Sequence, residues 1–228
     1  MTKPNTQNIP SLSAAEVKRM LAKQGLSTGA IKAMFDGAPE NARGPKSEDA
    51  PGGFPMIDSA NPRVVFLIGE VSEASVAHAC VQIMALNLQG NEPITLFVNT
   101  YGGSIHEMYA LYDVIQLSSA PVRTFGLGKV MSAGVLILAS GQKGHRAASA
   151  SCSIMVHAAS GGARGTIREM VVAINHVIEL ENRMWNALAH ETGRSAEEWY
   201  GRTGEGTRDV FLSAEEAKAL GIIDTVLG

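Results

Sequence analysis

The chain has 228 residues, a length that fits one domain with an appendage, and 45% of them are hydrophobic but only 5% aromatic. Small aliphatic side chains must therefore fill most of its core. A formal charge of −3 with no basic tract excludes nucleic-acid binding, which needs clustered Lys and Arg, and no run approaches the roughly 18 apolar residues of a membrane helix.

Residues 1–60 read as an N-terminal extension, a propeptide or docking segment with a disordered tail as the alternative, and residues 61–228 as the folded domain. Met1–Asn8 lacks the apolar core of a signal peptide, so a cytoplasmic location is expected. Ser13-Ala14-Ala15-Glu16 has the capping-box pattern ahead of Val17, Met20 and Leu21, and a second short helix is expected over Thr28–Phe35. Residues 37–62, rich in Gly, Pro, Asn, Asp and Ser, read as a linker.

From Arg63 strands and helices alternate. Val64–Ile68 reads as a fully buried strand, Ala74–Leu88 as a helix, Ile94–Val98 as a strand, His106–Leu117 as a helix and Val122–Gly126 as a strand. Ser132–Ala139 is apolar all round, the mark of a buried helix, and Ser153–His157 is a strand. Thr166 opens a long helix to Thr192 with an apolar stripe through Met170, Ala173, Val177, Leu180, Met184 and Leu188, closed by Gly193. Ser213 caps a last helix and Ile222–Leu227 is a last strand. Repeated strand-helix units imply an α/β fold with largely buried parallel strands.

Three residues stand out for their chemistry. Ser132 sits where a strand gives way to a helix, so its hydroxyl can project while helix N-terminal amides stay free. The bland alternative is a helix-capping serine, and Val130 rules out the Gly-x-Ser-x-Gly elbow of α/β-hydrolases. His157 ends an apolar strand, where α/β sites lie, although a satisfied core histidine is the alternative. Asp209 lies in Arg208-Asp209, which on a loop is commonly a surface ion pair; Asp224 is a fallback acid. Serine, histidine and aspartate are what covalent acyl transfer needs. His190-Glu191 and His106-Glu107 each begin a zinc motif, but Arg194 and Ala110 replace its second histidine. No P-loop is present, and no metal or cofactor is implied. Cys80 and Cys152 have no metal or redox spacing; they read as reduced packing residues, with a disulfide as the alternative.

Several segments in order resemble the family of Clp protease proteolytic subunits (ClpP). They are Asn99-Thr100-Tyr101-Gly102-Gly103, Gly128 through Gly134, Gly141 through Arg146, Met155-Val156-His157 with Gly161-Gly162, Arg208-Asp209 with Phe211 through Ala214, and Gly221 through Asp224. The resemblance, spanning about Arg63 to Leu227, implies a ClpP/crotonase-like superhelix of strand-helix units whose long helix is a handle between stacked heptameric rings. It implies a serine endopeptidase with catalytic Ser132, His157 and Asp209, an oxyanion hole from the Gly103 and Ala133 amides, and substrate-backbone pairing along Gly161 and Gly162. It further implies unfolded polypeptide substrates fed by a separate AAA+ unfoldase ATPase, with Phe97 lining an apolar docking pocket. A crotonase-type acyl-CoA enzyme and a non-catalytic ring subunit are the alternatives.

The chain departs from the family pattern at several places. Ala159 stands where a proline is usual, so the loop after the histidine is expected to be freer. Thr207 replaces an acidic residue that serves contact between rings, and Thr95 replaces a second docking aromatic. The loop Gly201–Thr207 reads as longer and richer in glycine than usual.

Overall fold

The computed structural model describes residues 62–228. The capped helix from Ser13 and the second short helix over Thr28–Phe35, and all of the linker but Pro62, lie outside the described residues. The elements are β1 (Val64–Ile68), α1 (Glu73–Asn87), β2 (Ile94–Thr100), α2 (Ile105–Leu117), β3 (Val122–Met131), α3 (Ala133–Ala139), β4 (Arg146–Ser149), β5 (Ser153–Val156), α4 (Ile167–Thr192), α5 (Ala196–Arg202), β6 (Val210–Leu212), α6 (Ala214–Ala219) and β7 (Thr225–Leu227). They build an α/β fold consistent with that of ClpP, with one seven-stranded sheet whose main path runs β1-β2-β3-β4-β7. Every strand pair is parallel except β5–β6.

The strand that positions the site is β3. Its first half pairs with β4, Thr124 to Gly126 against Arg146 to Ala148, and its second half pairs with β5, Lys129 to Met131 against Ser153 to Met155. Between the halves the β2–β3 register jumps, so that Val98 faces Gly126 but Thr100 faces Val130. Gly128 takes the bend with φ +64°, a left-handed conformation that a side chain disfavours. The sequence places a strand only to Gly126; the strand passes through this bend and carries on to the residue before Ser132.

Helix α3 has all seven residues buried, as its all-round apolar sequence predicts. Strand β1 differs from expectation. Val65 and Leu67 face the core, whereas Phe66 and Ile68 are more than half exposed, because β1 is an edge strand covered on one face only. Phe66 stacks on Phe97, whose ring meets Phe125 edge-on, so three rings cross three neighbouring strands. Three elements have no counterpart in the sequence reading. Strand β4, Arg-Ala-Ala-Ser, lacks an apolar run, β6 is three residues long, and α5 precedes the glycine-rich loop and takes only its first two residues, Gly201 and Arg202.

The last strand is shorter than expected, Thr225–Leu227, because Asp224 is drawn into an ion pair ahead of it. Cys80 and Cys152 are both free thiols, and burial pushes Cys152 up to about 11. Among the described residues no helix is long and apolar enough to cross a membrane.

Candidate active site

Strand register brings the three singled-out residues together. Met131 pairs with Met155, so β3 and β5 end side by side, and the Ser132 amide continues the ladder by donating to Met155 O at 2.8 Å. His157 follows β5 directly. Strand β6 runs antiparallel to β5 with Val156 opposite Val210, so the next pair outward is His157 and Asp209. The aspartate thus stands at the mouth of a short strand rather than on a free surface loop.

Ser132 occupies the N-cap position of α3, yet its hydroxyl makes no capping bond. Its backbone sits at φ 54°, ψ −125°, a conformation of order 1–3 kcal/mol above the ordinary wells for a non-glycine residue. Its Oγ lies 2.7 Å from His157 Nε2. On the far side of the ring, His157 Nδ1 is 3.4 Å from Asp209 Oδ1, longer than the 2.7–2.9 Å of a tight charge-assisted hydrogen bond. The Asp209 side chain is about half exposed, at 53%, and the His157 side chain much less so. This geometry lets the imidazole accept a proton from the serine while the carboxylate faces its other nitrogen.

Two glycines shape the opposite wall. A Cβ on Gly102 would stand 2.6 Å from Ser132 Cβ, so only glycine allows this approach of the chain to the serine. The buried Thr100 hydroxyl accepts the Gly102 amide at 2.9 Å, which leaves the Gly103 N–H as the undonated one. Among the described residues neither the Gly103 nor the Ala133 N–H has an acceptor, and Ala133 is the first residue of its helix. The Gly-Gly pair is visible in the sequence, but which glycine makes room and which offers its amide is not.

Gly161 and Gly162 lie in an irregular, exposed stretch after β5, and a Cβ at either would meet nothing within 4 Å. The same stretch is tied down at Ala159, whose N–H donates to Glu181 Oε1 of α4 at 3.3 Å. Trp185 Nε1 donates to the same oxygen at 3.2 Å. A proline could not make this bond, so the loop is anchored where greater freedom was expected.

Asp224, the fallback acid, is elsewhere and fully employed. Its carboxylate takes Arg146 Nη2 at 2.6 Å and Nε at 3.0 Å, with the Gly144 and Arg146 amides beside them. Burial raises its pKa, but the Arg146 and amide hydrogen bonds outweigh that and hold it below the ordinary carboxylate range.

Residues 56–228 match the Clp protease family over more than half of the chain. The chain belongs to the Clp protease family. That family's serine-peptidase chemistry fits a serine free of capping duty, a histidine at hydrogen-bond distance and two undonated amides. A cavity of about 290 Å3 opens beside Ser132 and His157, bounded by Gly103, Met108, Leu180 and Met184. Among the described residues no group of three or more His, Cys, Asp or Glu side chains is arranged to hold a metal.

Proposed function

We propose that the chain is a serine endopeptidase, the proteolytic subunit of a self-compartmentalised protease in the cytoplasm. Ser132 Oγ attacks the scissile carbonyl as its proton passes to His157 Nε2, with Asp209 orienting the ring and stabilising its cation. The tetrahedral oxyanion is held by the Gly103 and Ala133 N–H groups, a device whose loss costs roughly 10²–10³ in rate. His157 then protonates the leaving amine, and water repeats the sequence in reverse to release the acid and restore the serine. Gly161 and Gly162 present a backbone free of side-chain obstruction, against which an extended substrate of any sequence can pair.

The observation that carries this reading is the 2.7 Å contact between Ser132 Oγ and His157 Nε2, made by a serine held in a costly backbone conformation. An acyl-CoA enzyme of the crotonase type would use the same two amides but leaves that contact without a task. A non-catalytic ring subunit leaves it equally idle. A fluorophosphonate probe separates them. Covalent labelling at Ser132, lost in Ser132→Ala and strongly reduced in His157→Ala, is the expected result; an unlabelled Ser132 overturns the reading.

Assembly into stacked heptameric rings is supported by the apolar residues that α4 leaves exposed, Val171, Val172, Ile174 and Ile178 among them. An AAA+ unfoldase partner is supported by the absence of a nucleotide-binding P-loop and by exposed Phe66 and Ile68 on β1, Met84 on α1 and Leu88 just after it. Phe97 itself is buried, so Phe66 rather than Phe97 presents the aromatic surface. Degradation of a folded protein should require the partner and ATP; efficient degradation by this chain alone contradicts that part of the proposal.

A further inference from the structure

The cavity beside Ser132 runs along α4 from Met184 past Leu180 to Val177. Met184 and Leu180 are buried and Val177 is partly open, so the deep end is apolar and the rim lies toward the start of the helix. Met108 adds a second thioether to the wall. Methionine sulfurs adapt to and favour aromatic rings, so this slot fits a flat side chain better than a branched one.

Three polar side chains of the cavity lining, Ser104, His106 and Ser160, have no part in the chemistry proposed above, and Ser104 is taken up in capping α2. His106, in the first turn of α2, lines the cavity and is exposed to solvent. Its ring stacks on that of His176, which comes from α4 one residue before Val177; the centroids are 5.6 Å apart and the planes 24° apart. Stacking occupies the ring faces and leaves the nitrogen edges open. Among the described residues neither histidine hydrogen-bonds to the protein, so the His106 edge offers one donor and one acceptor at the cavity mouth when the ring is neutral.

We propose that His106 reads the tip of the substrate side chain next to the attacked carbonyl, and that the slot favours tyrosine there over phenylalanine. The ring would lie between Met108 and Leu180, with its hydroxyl meeting the His106 edge. A phenol both donates and accepts, as does the neutral imidazole edge, whereas phenylalanine leaves that edge to water. His176 is a positioning residue that holds the His106 ring by its face. The inference rests on the peptidase reading and adds its side-chain preference.

The test uses the full chain and two fluorogenic peptides identical except for Tyr or Phe before the scissile bond. The readout is the Tyr/Phe ratio of kcat/KM, in which changes in the shared chemistry cancel. The wild-type ratio should exceed 1, and His106→Leu should lower it roughly threefold to tenfold, the worth of one neutral hydrogen bond. His106→Gln, which keeps a donor and an acceptor, should restore most of it. His176→Ala should lower the ratio by less, and His176→Phe, which keeps a stacking face, should hold it near wild type. A wild-type ratio at or below 1, or one that His106→Leu leaves unchanged, overturns the inference while fluorophosphonate labelling of Ser132 leaves the peptidase reading standing. Absence of both labelling and cleavage in the wild-type chain instead refutes the peptidase reading, and this inference with it.

Discussion

The two halves of α4 carry one apolar pattern into opposite surroundings. Leu180, Met184, Trp185 and Leu188 in the second half are buried in the chain's own core. Ile167, Val171, Val172, Ile174 and Ile178 in the first half are exposed, Ile167 at 76%. The second half is also held by polar bonds. Tyr109 donates to Leu180 O at 2.8 Å, Arg146 Nη1 to Glu191 O at 2.9 Å, and Trp199 Nε1 to Thr192 Oγ1 at 2.9 Å. An amphipathic stripe therefore states that a face is to leave water, not whose surface it will meet. The family resemblance implies a ring-to-ring handle along this helix, but Met184 and Leu188 of its apolar stripe lie in the subunit's own core.

The sharpest way to break this contrast is one charge in each half. Leu188→Asp buries an unpaired carboxylate and opens the core, a loss of about 4–5 kcal/mol or more, comparable with the lower end of total domain stability. Loss of the cooperative thermal transition is expected; a melting temperature within a few degrees of wild type would show that Leu188 is not a core residue.

Ile174→Asp should act on assembly alone. Exposed substitutions change the fold by about 0.5 kcal/mol or less. Sedimentation should show the proposed ring assembly replaced by a smaller folded species with an unchanged circular dichroism spectrum. A ring assembly as stable as wild type would mean that the first half of α4 does not form the contact.

Asp224→Asn tests the clamp on the buried half, since Asp224 orients the Arg146 that reaches Glu191 O. The folded-state pKa of Asp224 is depressed, so its stabilisation is fully present above the unfolded value near 3.9 and is lost as pH falls through the lower folded value. The wild-type chain should melt higher than the variant at pH 6, and the gap should shrink as pH falls below the unfolded value and the carboxylate is protonated. A gap that stays constant through acid unfolding would assign the effect to packing instead.

The smallest effect belongs to the helix start. Thr166 and Glu169 form a reciprocal capping box, with the Thr166 amide 2.7 Å from Glu169 Oε2. Thr166→Ala should cost about 1 kcal/mol. That loss should appear as faster amide exchange over residues 167–171, with the amides of 180–191 unchanged. Equal loss in both halves would show that the helix opens as one unit and that the contrast is static only.

Local signals were legible where one segment carries its own reason. Helix α3 is apolar on every side and is buried; α4 starts at a threonine cap and ends at Gly193 in the left-handed conformation, as read. Strand β4 was invisible because its small residues owe their place to two flanking strands, β3 and β7, rather than to an apolar pattern. Strand β6 is too short for alternation to register, yet it is what sets Asp209 opposite His157. The anchoring of the loop at Ala159 was misread because its partner, Glu181, is on a distant helix.

The sequence by itself determined the alternation of strands and helices, the limits of the long helix, and the candidate Ser132, His157 and Asp209 with the family they resemble. Only the tertiary structure decided that Ser132 does not cap its helix, that Gly102 makes room while the Gly103 amide stays free, and that α4 is half core and half exposed. The division follows from the physics. Periodicity, capping and turn chemistry act over a few residues and are written in adjacent letters. Strand register and burial are pairings between distant segments, and the same apolar or polar residue serves whichever partner the completed sheet brings to it.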